Sequence, residues 1–196
     1  VSLGTKYPIF ELNATYGIPG LFASNQEYFR MIFQTKQWFN VGSIGWSKYV
    51  IEGGKLWGTV PYPLLEVAPG NQTLISDQYA YNLMNYYEFI NDEYVSLFYT
   101  HHFDGLFFNR IPLLRKLKWR EVIHAKGIIG NISEANAEFS VFPSYSYSLT
   151  RPYYEMGVGI ENIFKIARVD FIWRMNHFDH PNAQKFGVFF ALEFSF

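Results

Sequence analysis

His101, His102 and Asp104 supply the residue types of a metal site or an acid–base pair within one short stretch. Their spacing works against both. Side chains alternate across a strand, so neighbouring His101 and His102 point to opposite faces and cannot hold one ion without distortion. The chain contains no cysteine, which removes thiol nucleophiles, Cys-based metal centres and disulfides. No Gly-rich phosphate loop, nucleophile elbow or paired-carboxylate pattern stands out, so the sequence reads as a non-enzyme without metal or cofactor. The acceptor-like triplets at Asn13, Asn71 and Asn131 are short enough to arise by chance.

The remaining charge is spread along alternating segments. Glu11, Arg30, Lys36, Lys48, Glu52, Lys126, Glu155, Arg168, Asp170, Arg174 and Glu193 form a set of both signs in near balance. Overall there are 16 Lys plus Arg against 17 Asp plus Glu, a net charge of -1. That balance argues against a polyanion partner, and nucleic acid is not expected.

The elements that must position these groups are strands. From Lys185 to the C-terminus, Phe186, Val188, Phe190, Leu192, Phe194 and Phe196 share one face, opposite Lys185, Gly187, Phe189, Ala191, Glu193 and Ser195. One face is wholly apolar and the other mixed, the pattern of a strand between lipid and a wet lumen. Aromatic residues make up 20% of the 196-residue chain, an excess that interfacial girdles would absorb. Mean hydropathy is only -0.05, and no run approaches the roughly 18 apolar residues of a spanning helix. Membrane residence would therefore have to be through strands.

The same alternation predicts strands at 7 to 17, 27 to 39, 44 to 57, 93 to 103, 120 to 129, 153 to 161 and 167 to 175, eight with the last. Gly53-Gly54 is expected to bulge or bend the third. The result is a single domain over 1 to 196, an all-β antiparallel transmembrane barrel in a bacterial outer membrane. An even strand number puts both termini on one side, the periplasmic one. Reversals at 40 to 45, 105 to 119 and 162 to 164 then lie in the periplasm, and the longer set, including 58 to 91 and 130 to 151, lies outside. The 58 to 91 connection is too long and too aromatic for a solvated loop and is expected to pack at the barrel mouth or in the lumen.

Within that frame the charged set lines the lumen. An eight-stranded barrel is just wide enough for side chains to fill it, so paired charges would plug it, whereas a pore needs a wider barrel. The basic connector at 106 to 119, with Arg115, Lys116, Lys118, Trp119 and Arg120 at its end, reads equally as a headgroup contact or as a docking surface for a periplasmic partner.

Several stretches resemble a family of Bacteroidota outer-membrane proteins of unknown function, whose longer members carry a carboxypeptidase-regulatory-like domain before a barrel. The carriers are Gly58-Thr59-Val60-Pro61-Tyr62-Pro63-Leu64-Leu65, Asn82 to Phe89, His101-His102-Phe103-Asp104-Gly105, and Ile111 to Glu121. The likeness is to the C-terminal half of the longer members' barrel. More distantly, the layout is similar to the last eight strands of the Omp85 superfamily, with 58 to 91 at the place of its lumen-inserted loop. The superfamily's Arg-Gly-aromatic tip has no counterpart, the chain reading Asn85-Tyr86-Tyr87 there.

The resemblance implies a role in outer-membrane assembly or transport, as half of a sixteen-stranded barrel completed by a second copy or an N-terminal half. A small closed eight-stranded barrel, acting as a structural or surface-binding module, is the alternative, and an outer-membrane enzyme a weaker one. Expected partners are outer-membrane lipid and the barrel-assembly machinery, which would read Phe190, Leu192, Phe194 and Phe196.

Overall fold

The computed structural model describes residues 7–20 and 25–192. Eight long strands form one antiparallel sheet, and neighbours in the sheet follow chain order apart from two short strands in a connection. These are β1 (Ile9–Gly17), β2 (Tyr28–Asn40) and β3 (Trp46–Trp57), then the short β4 (Glu66–Val67) and β5 (Ile90–Asn91), which pair with each other. There follow β6 (Glu93–His102), β7 (Arg120–Asn131), β8 (Tyr153–Ile163), β9 (Ala167–Arg174) and β10 (Phe186–Leu192). Each long strand falls where alternation placed it, within two or three residues at its ends, except that the end expected for the last strand lies outside the described residues. Two helices, α1 (Pro112–Leu117) and α2 (Glu134–Phe139), sit in connections expected only as loops. A single turn carries too little periodicity to be read from sequence.

Register keeps the alternation in step from strand to strand. Across the middle of the sheet Phe33, Gly53, Val95 and Ile129 stand side by side, and so do Val158, Phe171 and Val188. The outer face is consequently apolar over most of its area, with Leu12 64% exposed, Ile129 53% and Phe190 52%, and the Lys55–Glu93 pair on one outer rung. The expected break at Gly53-Gly54 is absent, and β3 pairs in unbroken register with both neighbours. Gly54 faces inward, where an added Cβ would lie 2.5 Å from the Tyr94 ring, so the missing side chain makes room for Tyr94. A bulge lies instead between β8 and β9, at Ile160 and Ile163. Tight reversal after β2 depends on Gly45, whose φ of 107° and closeness to the His102 carbonyl exclude a Cβ.

The core lies between the inner face and the connections that cover it. Val50, Phe98, Ile128 and Tyr153 from the sheet pack with Ala68, Tyr81, Met84 and Phe89 from the 58 to 91 connection. A second cluster joins Leu56 to Val60, Leu65 and Ile90, with Phe142 from the connection after α2 at its margin. Leu83 packs on Ile172 and Phe189.

The sheet does not close on itself. Its order ends at β1 on one side and β10 on the other, and among the described residues no ladder joins them. Closure of eight strands would leave an interior only wide enough for side chains. Here the inner face already holds main chain from 58 to 91, so the strands stay spread around it. Glu193, Phe194 and Phe196 lie outside the described residues. Phe190 and Leu192 are exposed on the outer face, as alternation requires.

Candidate functional site: the covered inner face

The inner face puts charge beneath the 58 to 91 connection, and most of that charge binds the connection's backbone. Glu155, on β8, accepts hydrogen bonds from the N–H groups of Asn82 and Leu83 at 2.8 and 3.0 Å. Lys126, from β7, donates to the carbonyls of Asp77 and Ala80, both at 2.6 Å, and stands 3.9 Å from Glu155. Tyr81 reaches the Gly127 carbonyl. An acceptor and a donor, both buried, thus grip one turn of the connection from neighbouring strands. Unpaired, either charge would be costly in so enclosed a place.

Arg174, on β9, holds the next turn. Its guanidinium donates to both carboxylate oxygens of Glu88 at 2.5 and 3.1 Å, and to the carbonyls of Leu83, Asn176 and His177. Glu88 also accepts from the Asn85 N–H, and His180 Nδ1 lies 2.8 Å from it. Burial pushes the Glu88 carboxyl up, but Arg174, Asn85 and His180 outweigh it and hold it below the usual carboxylate range. Burial also holds His177 below its ordinary value. Glu66 goes the other way, raised by burial and by Glu52 against the pull of Arg30.

Two further groups sit deeper. Thr100 Oγ1, His124 and Asp170 line up at 3.2 and 3.1 Å, with Arg168 Nε 3.0 Å from Asp170. Hydroxyl, imidazole and carboxylate in a row are the components of nucleophilic catalysis. All three are nearly buried, however, and Arg168 already binds the carboxylate. The line reads as a buried brace. His102 pairs with Glu161 at 2.7 Å and stacks on Trp46, while His101 faces outward to Ser47 and the Ile44 carbonyl. The two histidines do diverge, and among the described residues no three or more His, Asp or Glu side chains cluster as metal ligands would.

The lumen set is therefore not one network. Glu155, Arg168, Asp170 and Arg174 are buried under or beside the connection. Lys48 bonds Gln78 and Tyr79, Glu52 bonds Gln34 and Tyr94, and Arg30 bonds the Leu64 carbonyl. Glu11 pairs with Lys36 at 2.5 Å, half exposed, away from the others. Sequence reasoning paired these charges with one another and missed Glu88, His177 and His180, whose roles depend on a fold-back that no local pattern signals. Arg115, Lys116 and Lys118 are exposed around α1, and Arg120 pairs with Asp104.

The connection also reaches the sheet's edge. Ser76 donates its N–H to the Phe190 carbonyl at 2.7 Å, and the Phe190 N–H donates to the Leu74 carbonyl at 2.8 Å. A parallel bridge at Ile75 thus occupies part of the free side of β10.

A family model described as "Family of unknown function (DUF5686) C-terminal domain" matches residues 1–141. The chain belongs to this family. No curated protein and no solved structure matches it. The matched span carries β1 to β7 and the whole gripped connection. Glu155 and Arg174, which do much of the gripping, come from strands beyond it.

Proposed function

We propose that this family member contributes eight strands to a wider outer-membrane β-barrel, completed by a second copy or an N-terminal half, that serves assembly or transport. The 58 to 91 connection is its lumen plug. One observation carries the reading: an open sheet, apolar over most of its outer face, wraps an inner face of mixed charged and apolar residues filled by its own connection. Strand lengths bracket the requirement, since the long strands from β1 to β9 have 8 to 13 residues, against about 9 to 11 for a tilted membrane strand. In lipid, the unpaired N–H and C=O groups along β1 and β10 must find strand partners. A wider barrel supplies them and leaves room for the plug. The Bacteroidota origin, the preceding domain and the Omp85 likeness belong to this reading through the sequence resemblance.

The full chain, extracted in detergent or inserted in vesicles, tests it. Because the chain lacks cysteine, Leu12→Cys and Phe190→Cys report alone. Crosslinks between chains, or to an N-terminal half, are expected. An efficient crosslink within one chain would establish the small closed barrel instead, and a monomer soluble without detergent would overturn membrane residence.

A further inference from the structure

The two ends of the sheet carry opposite charge. The connections 41–45, 103–119 and 164–166 at one end hold Arg110, Arg115, Lys116, Lys118 and Lys165 against Asp104 alone. Those at the other end, 18–27, 58–92, 132–152 and 175–185, hold eight acidic residues and two basic. Asp104 is already engaged by Arg120 at 3.2 Å, and Glu121, at the start of β7, accepts the N–H groups of Phe107 and Phe108. Among the described residues no carboxylate pairs with Arg115, Lys116, Lys118 or Lys165, all of them exposed.

Apolar groups stand bare beside these charges. Leu113 and Leu117 lie one helical turn apart on α1 and are 68% and 46% exposed, and Phe164, in the turn between β8 and β9, is 87% exposed. Asn162 Nδ2 donates to the Lys118 carbonyl at 2.7 Å, so this turn and the end of the basic connector form one rim. The rim is continuous with the outer face of the sheet. Outward-facing His101 meets Phe103 edge to face at 4.4 Å, and Phe103 meets Phe107 in the same way at 5.5 Å. An apolar surface that runs on from the lipid side of a sheet and ends in free cations has the layout of an interfacial anchor, with hydrocarbon groups below the headgroups and basic ones among them. A periplasmic protein would have to cover the charges while leaving the aromatic row to lipid.

We propose that this rim binds anionic glycerophospholipid of the periplasmic leaflet, with Leu113, Leu117 and Phe164 among the first acyl carbons and Arg115, Lys116, Lys118 and Lys165 on the phosphates. The inference rests on the membrane reading above, which puts the short reversals on the periplasmic side, and adds to it a surface and a head-group class. Each basic residue beside an anionic surface is worth roughly a five-fold change in partition. Removing several together should therefore erase a preference that a single change only weakens.

The test uses the full chain in nanodiscs doped with phosphatidylglycerol or phosphatidylethanolamine whose heads are unmodified and whose photoreactive group sits either at the first acyl carbons or at the acyl end. Crosslinks are mapped by mass spectrometry. With the upper probe, phosphatidylglycerol should label 106–119 and 164–166 several-fold more than phosphatidylethanolamine does, with no such preference at 134–138. Added salt should shrink the preference, because exposed charges are screened. Arg115→Gln, Lys116→Gln and Lys118→Gln together should abolish it while circular dichroism stays unchanged. Leu113→Ser with Phe164→Ser should lower labelling by both lipids and keep the preference. Equal labelling by the two lipids, a preference that survives the triple change, or the same preference at 134–138 would each overturn the site and leave the membrane reading standing. Labelling of Val95 and Ile129 by the lower probe, with the rim untouched by the upper one, would put the rim in water as a surface for a periplasmic protein and would likewise overturn it. No labelling by either probe would overturn both.

Discussion

Arg174 and Glu88 stand 86 positions apart in sequence and meet in a two-pronged ion pair at 2.5 and 3.1 Å, with essentially no exposure on either side chain. A planar guanidinium is the group suited to such a grip. Through it β9, the last strand but one of the sheet, fixes the turn that leads out of the connection.

Removing one partner should therefore cost more than a surface charge would. Arg174→Met leaves Glu88 buried with only Asn85 and His180 beside it, and three carbonyls lose their donor. Breaking a buried pair in this way typically costs about 3 to 5 kcal/mol. Urea unfolding in vesicles should show a loss of that order, with the 82 to 91 segment becoming sensitive to protease first. Glu88→Gln, which keeps the shape and one acceptor, should lose less. Equal and negligible losses from both would show that packing of Met84 and Phe89, not charge, seats the plug.

Acid should loosen the same region in two stages. His177 is held below its ordinary value of 6.5 by burial, with Arg151 and His180 as neighbours that also lower it. The folded state therefore resists its protonation, and its contribution, full above about 6.5, declines as pH falls below that value. Glu88, facing Arg174 and His180, is depressed below 4.5, so its contribution is intact above that value and is lost on further acidification. Glu66 acts above 4.5, where its raised carboxyl takes up a proton more readily in the folded state, so it offsets part of the first stage. Tyr153 fluorescence or exchange at the Phe89 amide should follow both stages. In His177→Asn the step that begins below about 6.5 should vanish, and its survival would assign that step elsewhere.

The strands were legible because a sheet between two different environments writes its period into every segment. Phe171, Trp173 and Met175 against Arg168, Asp170 and Arg174 could hardly be read otherwise. The plug was legible as mass, not as geometry: Tyr86, Tyr87 and their neighbours marked 58 to 91 as too apolar for open solvent. Its anchors are another matter. Glu155 and Lys126 bind main-chain groups of Asn82, Leu83, Asp77 and Ala80, and main-chain groups carry no sequence signature. Open edges were expected through the family resemblance and not through alternation, which assigns a side chain to a face and says nothing about which strand is its neighbour.

The contact between Ser76 and Phe190 bears most directly on whether another strand can join the open edge, as the proposed wider barrel requires. Along β10 the peptide groups alternate, those of Gly187, Phe189 and Ala191 turning toward β9 while that of Phe190 turns to the free side. There it is met by Leu74 and Ser76. A strand arriving at β10 would need the same N–H and C=O, so the plug competes with the incoming strand at this point. Ser76→Pro removes the donor to the Phe190 carbonyl. One hydrogen bond of this kind is worth about 0.5 to 1.5 kcal/mol net, so global stability should change little. Hydrogen exchange should separate the two sides of the strand: the Phe190 amide should lose protection in the variant while the amides of Gly187, Phe189 and Ala191 keep theirs. With the latch weakened, interchain crosslinking through Phe190→Cys should rise. If the Phe190 amide stays protected and crosslinking is unchanged, the latch does not guard the edge, and the completing strand pairs with β10 regardless of it.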